Sequence, residues 1–217
     1  MRSKPFRLPG SGAEVVLREP TIRDVEEVGL DDALGFQRRL VVTINGAKPA
    51  EDWQPSRKDA GVLDRIIVDH LLAGDATIEA LARTAVVDTG SEVRIPVAST
   101  VDIDSDGRHQ GFRQWFVVRH PTALESNTAH AKAAEQFGAD RSMLAGEIRL
   151  MRMCAKSIED TGDPPTTRIV GYTDLLSWPF TVPDTLLMIA IYRDATTASD
   201  EEAAAAGNGF ALADDGG

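Results

Sequence analysis

Val15-Val16-Leu17-Arg18-Glu19-Pro20-Thr21 near the start of the chain and Phe116-Val117-Val118-Arg119-His120-Pro121-Thr122 in its second half state one pattern twice. Each is a short β-prone run closed by Arg, one further polar residue, then Pro-Thr. The proline holds the residue before it extended, which ends a strand. The threonine hydroxyl accepts from the first free N–H groups of a helix. The third residue after each threonine is acidic, Asp24 and Glu125. A capping box on the positive end of a helix follows in both places. Arg18, Pro20, Thr21 and Asp24, and Arg119, Pro121, Thr122 and Glu125, are therefore expected to carry the fold.

The likeness extends outward from these two turns. Before the first, Phe6-Arg7-Leu8-Pro9 leads through Gly10-Ser11-Gly12 into Val15–Arg18. Before the second, Thr100-Val101-Asp102-Ile103 leads through Asp104-Ser105-Asp106-Gly107 into Phe112–Arg119, and both read as hairpins. Further on, Leu40–Gly46 and Met153–Asp160 are apolar stretches closing on a small polar turn. Each unit then ends with a helix opened by aspartate, Asp75 in the first and Asp184 in the second. Four landmarks in one order predict an internal duplication.

Helical spacing marks the stretches between. Val62, Ile66, Ile67, Val68 and Leu71 share a face; Leu144, Ile148, Met151 and Ile158 step as one helix does. Asn127–Gln136 is alanine-rich, with Gly138 placed to end it. Strands are few: the two hairpins and Glu92–Pro96. The class is α+β, rich in helix, with a first unit over 1–90, a second over 91–196 and a tail over 197–217. The tail carries five acids and no base from Asp200 onward, has almost nothing to bury, and is expected to be disordered.

Charge and composition exclude several functions. The chain has 217 residues, 23 basic and 34 acidic, for a formal charge of −11. That balance opposes nucleic acid and basic membrane-surface helices. The longest aliphatic stretch, Leu186–Tyr192, falls far short of a membrane span, and Met1-Arg2-Ser3-Lys4-Pro5-Phe6 has no apolar run behind it. A cytoplasmic protein without membrane contact is expected. A single cysteine, Cys154, on an apolar helical face, reads as a buried inert thiol.

Reactive constellations are weak. Asp102, Asp104 and Asp106 with Gly107 match the first half of a calcium loop, but Arg113 stands where the closing bidentate acid belongs, so a hairpin turn is the preferred reading. No metal, cofactor or catalytic residue is assigned. His70, His109, His120 and His130 lie in separate elements, and Glu26-Glu27 and Asp31-Asp32 read as a solvated helix face. The aromatics point toward binding: Trp178 and Phe180 sit in a Pro-rich loop as core plug or exposed anchor, and Trp115 lies on the opposite strand face from Phe112 and Phe116.

The opening Leu8-Pro9-Gly10-Ser11-Gly12, the Val15–Thr21 strand and Asp24 resemble the start of tail assembly chaperones and related baseplate-assembly proteins of tailed phages and phage-derived contractile injection systems. Those families begin with a Leu-Pro-Ser-Gly-type hairpin, a Val-x-Leu-Arg-x-Pro-Thr strand and a helix opened by threonine and aspartate. Ile158-Glu159-Asp160, Leu175-Leu176 and Pro183-Asp184 with the helix to Tyr192 extend the likeness, which covers residues 8–24 and 158–192. This chain departs from the pattern by carrying the unit twice and by its segment 47–110, which has no counterpart. The resemblance implies a non-catalytic assembly protein that binds a protein partner of a tail or baseplate, such as a tape-measure or hub component, in the host cytoplasm if phage-encoded. A subunit retained in the particle is the alternative; an enzyme or weak calcium module is the second. The expected contact lies in a groove between the two units near Trp178 and Phe180.

Overall fold

A computed structural model describes residues 3–30, 32–139, 142–170 and 178–198. It is mixed α+β, as its sequence pattern requires. Leu175-Leu176 and the tail beyond 198 lie outside the described residues.

The first unit opens with β1 (Phe6–Arg7) and β2 (Glu14–Leu17). Helices α1 (Ile22–Val28) and α2 (Ala33–Leu40) follow, then β3 (Val41–Ile44). The strands form an antiparallel sheet in the order β1-β2-β3. The second unit has the same plan. Strand β5 (Glu92–Pro96) pairs with β8 (Gln114–Arg119), which leads into α5 (Ala123–Phe137), α6 (Ser142–Cys154) and β9 (Ala155–Asp160). Strands β4 (Val87–Asp88) and β10 (Thr166–Ile169) extend this sheet to β10-β9-β8-β5-β4.

The correspondence reaches single residues. Helices α1 and α5 both end on a glycine at positive φ, Gly29 at 78° and Gly138 at 83°, conformations that side-chain-bearing residues rarely adopt. Each glycine N–H donates to the carbonyl four residues back. In both units the second helix runs into the next strand without a loop. The returning strand also slips register at one place in each copy, between Val16 and Leu17 against β3 and between Val117 and Val118 against β9. Two residues oppose one there, so Val42 and Lys156 are the extra residues of equivalent bulges.

Two expected counterparts are corrected. Strand β1 corresponds to β5 and not to the Thr100–Ile103 run, because β5 occupies the edge of β8 that β1 occupies on β2. The Asp104–Gly107 turn instead joins β6 (Val101–Ile103) to β7 (His109–Phe112), a separate two-stranded ribbon inserted ahead of β8. Asp75 caps α4 (Ala76–Ala85), which stands between the units. The helix equivalent to α7 (Val182–Thr196) is α3 (Arg57–Ile66), prolonged by a π-helical turn over Ile67–Leu72. Ile158 belongs to β9 and not to the helix that its spacing suggested: α6 ends at Cys154, and Ile158 pairs with Phe116 across the sheet.

One apolar core joins both units. Val15, Leu17, Leu40 and Leu63 from the first meet Val93, Ile95, Phe116, Val118, Met151 and Met188 from the second, all fully buried. Completely burying such a side chain contributes about 1.5–3 kcal/mol. Helices α5 and α6 approach closely because Ala129, Ala133, Ala145 and Gly146 line their seam; a Cβ on Gly146 would lie 2.5 Å from the His130 ring. Between the units, Arg149 of α6 pairs with Glu26 of α1 at 3.1 Å. Glu26 is only 7% exposed, so the Glu26-Glu27 pair is not the solvated face expected of it.

Candidate functional site

Each Arg-x-Pro-Thr turn is a closed set of charge-assisted bonds. In the first, Arg18 Nη1 and Nη2 donate to Asp24 Oδ2 and Oδ1, both at 2.7 Å, and Arg39 Nε donates to Oδ1 at 2.8 Å. The Thr21 backbone N–H and hydroxyl also donate to Asp24, completing the capping box. Burial pushes the Asp24 carboxyl up; the bonds from Arg18, Arg39 and Thr21 outweigh it and hold the group well below the usual carboxylate range. In the second, Arg119 grips Glu125 with both terminal nitrogens while Thr122 closes the same box. Arg119 and then Thr122 lower the Glu125 carboxyl to about 2. Even the spare donor repeats: Arg18 Nη1 reaches the Glu19 carbonyl, and Arg119 Nη1 the His120 carbonyl. These residues are structural anchors, bidentate where Arg and carboxylate geometry match.

A second repeated motif escaped the sequence reading. Trp53-Gln54-Pro55-Ser56-Arg57-Lys58-Asp59 and Trp178-Pro179-Phe180-Thr181-Val182-Pro183-Asp184 are both Trp, two residues, a hydroxyl cap, two residues, Asp. Ser56 and Thr181 cap α3 and α7. Asp59 turns back to accept from Gly10 N and Ser11 N at 2.6 and 2.9 Å; Asp184 accepts from Ser99 N and Oγ at 2.8 and 2.6 Å. Both acids are buried. They tie the last helix of each unit to the loop after its first strand. The recurring signal was the Ser/Thr-x-x-Asp cap with a tryptophan three residues ahead.

The cleft between the units opens beside these anchors and encloses about 360 Å³. Glu19 of the first Arg-x-Pro-Thr turn stands on one side, Asp75 and Glu79 of α4 on another, with His70 nearby and Ile78 and Leu187 in the apolar floor. Trp178 and Phe180 do not line it. Both are half-buried and pack edge-to-face on Phe116 at 5.6 and 5.1 Å, and Trp178 Nε1 donates to Thr185 Oγ1 at 2.9 Å. They precede Thr181, which does line the cleft. Trp115 lies on the other face of β8, under the Arg94 guanidinium at 4.9 Å.

The remaining candidates are placed as follows. Asp104 spends both carboxylate oxygens on its own turn, accepting from Asp106 N, Arg108 N and Gln110 Nε2; Asp102 and Asp106 belong to the same ribbon. His120 bonds Asp88 and His130 bonds Ser126 and Glu147, each within the scaffold. Cys154 is buried against Tyr192, and burial pushes its thiol up, away from the reactive thiolate. The Tyr192 hydroxyl donates to the Arg119 carbonyl at 2.7 Å, fastening α7 to the second turn. Among the described residues, no helix is long and apolar enough to cross a membrane.

Comparison with protein-family models, curated proteins and solved structures finds no match to this chain.

Proposed function

We propose that the protein is a non-catalytic assembly protein of a phage-type tail or baseplate, holding a protein partner during assembly. The observation that carries this reading is the cleft between two copies of one folding unit, acidic at its rim and apolar at its floor. Such a cleft suits an amphipathic partner helix that lays apolar side chains on Ile78 and Leu187 and lysine or arginine beside Glu19, Asp75 and Glu79. The residues that carry the resemblance to tail chaperones, Arg18, Pro20, Thr21 and Asp24, are spent on the fold that builds one wall of it. Net charge keeps a bound aggregation-prone partner dispersed.

Tagged protein recovered from its native lysate should bring tape-measure, tube or baseplate components with it. Glu19→Lys together with Glu79→Lys should release them while the thermal midpoint stays in place. Recovery of metabolic enzymes only, or of tail proteins equally with the doubly reversed variant, would sink the proposal. Presence of the chain in purified finished particles would make it a retained subunit in place of a chaperone.

A further inference from the structure

The two units differ at one sheet edge. In the second, β9 is covered on its outer side by β10, paired antiparallel from Thr166 opposite Asp160 to Ile169 opposite Ser157. The bulge residue Lys156 then receives the Val170 N–H on its carbonyl at 2.8 Å. In the first unit, the equivalent strand β3 meets only a single bridge, Ile44 to Ala47, before the chain turns off through Lys48-Pro49 to Trp53. Strand β3 is thus the edge of its sheet among the described residues. A groove of about 560 Å³ lies beside it, between Val41-Val42 and the 48–53 segment.

That groove has a defined chemistry. Val42 and Trp53 supply apolar wall, and the charged lining is Arg18, Arg38, Lys48 and Glu51. Arg18 is held by Asp24 and Arg38 donates to the Glu51 carbonyl, so both guanidinium groups are fixed in place; Lys48 is exposed. On a chain of formal charge −11 this is a local excess of cation.

We infer that the outer edge of β3 is a strand-addition site for an extended acidic segment of a partner protein. The segment pairs with β3 ahead of Ile44, whose N–H and C=O are both taken by Ala47, sets apolar side chains over Val42 and Trp53, and directs carboxylates to Lys48 and Arg38. An open edge is a template for another chain, and backbone pairing supplies affinity while alternate side chains supply selection. The exposed β10 edge of a second copy is a poor occupant, because it brings Arg168 to a cationic groove. The site is separate from the cleft between the units and does not rest on the identity of the assembly.

The test uses two labelled peptides in which valine alternates either with aspartate and glutamate or with lysine, titrated into the full chain by fluorescence anisotropy. The acidic peptide should bind, more weakly as salt rises, and should slow amide exchange in 41–44. Lys48→Glu combined with Arg38→Glu should cut its affinity about tenfold or more, and Lys48→Glu alone should act in the same direction if the double variant folds poorly. Equal binding of both peptides, protection of 166–169 in place of 41–44, or indifference to Lys48→Glu would overturn the inference. So would sedimentation showing that the groove is already closed by a second copy.

Discussion

Asp24 and Glu125 close the same turn with the same bonds, yet the Asp24 carboxyl is nearly sealed from water whereas the Glu125 side chain is 26% exposed. Asp24 receives a second arginine, Arg39, from α2; the equivalent position in α6 is Met153. The first unit therefore leans on a buried charge cluster. The second leans on an aromatic and aliphatic core, with Phe116, Trp178 and Phe180 packed edge-to-face. One folding plan can be stabilised by either means, and the two means fail under different conditions.

The largest effect should separate them. Asp24→Ala removes the carboxylate shared by Arg18, Arg39 and Thr21 and strips Arg18 of its ion pair, while Arg39 keeps Glu27, costing about 3 kcal/mol in chemical denaturation. Glu125→Ala should lower the midpoint by a smaller amount, because water can replace the lost bonds. Acid acts on the same contrast. Carboxylates held below their unfolded pKa contribute stability that is complete above the ordinary range and is lost as pH falls through the folded value. Loss of stability should set in as pH descends through about 4, where both carboxylates begin to bind protons in the unfolded chain; the Glu125 share is complete near 2, and the Asp24 share continues below it. Asp24→Ala should flatten the pH dependence across the whole range and remove the part that lies below the Glu125 value.

Next in size, Trp178→Ala should cost about 3 kcal/mol through loss of contact with Phe116, while Trp53→Ala at the equivalent place should cost clearly less and weaken acidic-peptide binding instead. Equal losses at the two tryptophans would mean that both are core and would close the comparison. Gly146→Ala should cost about 1–3 kcal/mol by pushing the His130 ring out of the α5–α6 seam. The smallest effect has the opposite sign. Gln37 is buried with its Oε1 unpartnered among the described residues, where the second unit carries Met151. Gln37→Met should raise stability by about 1 kcal/mol, and a loss there would show that the amide bond to the Ala60 carbonyl matters more than the orphan oxygen.

Local chemistry was legible in the sequence, and pairing was not. Thr21 with Asp24 and Thr122 with Glu125 act over three residues, so their capping boxes follow from spacing. Which strand lies beside β8 depends on Val93 and Ile95 finding Phe116 and Val118 across the sheet, and the strong local Asp-Gly turn at 106–107 drew the expectation to the wrong neighbour. Ile158 fits a helical step and a strand alternation equally, and only the junction after Cys154 decides. The Trp-x-x-Ser/Thr-x-x-Asp repeat was available in the letters. It was hidden because Asp59 and Asp184 do their work on backbone N–H groups far away in sequence, which no local pattern records. The cleft and the β3 groove follow from how the copies differ, and differences in coverage are not written in either copy alone.

The unequal helical hairpins have a consequence of their own. At 1.5 Å per residue, the 15-residue α5 is about 22 Å long and the 7-residue α1 about 10 Å. Both hairpins leave their sheets through matching Pro-Thr turns and re-enter through loop-free junctions, so length can change at the far tip, where each first helix ends on a glycine, without disturbing the strands. Two equal arms would have given the molecule interchangeable ends. With one arm long and the other short, the chain acquires a polarity, and any body that binds it must meet a long-armed side and a short-armed side in a fixed order.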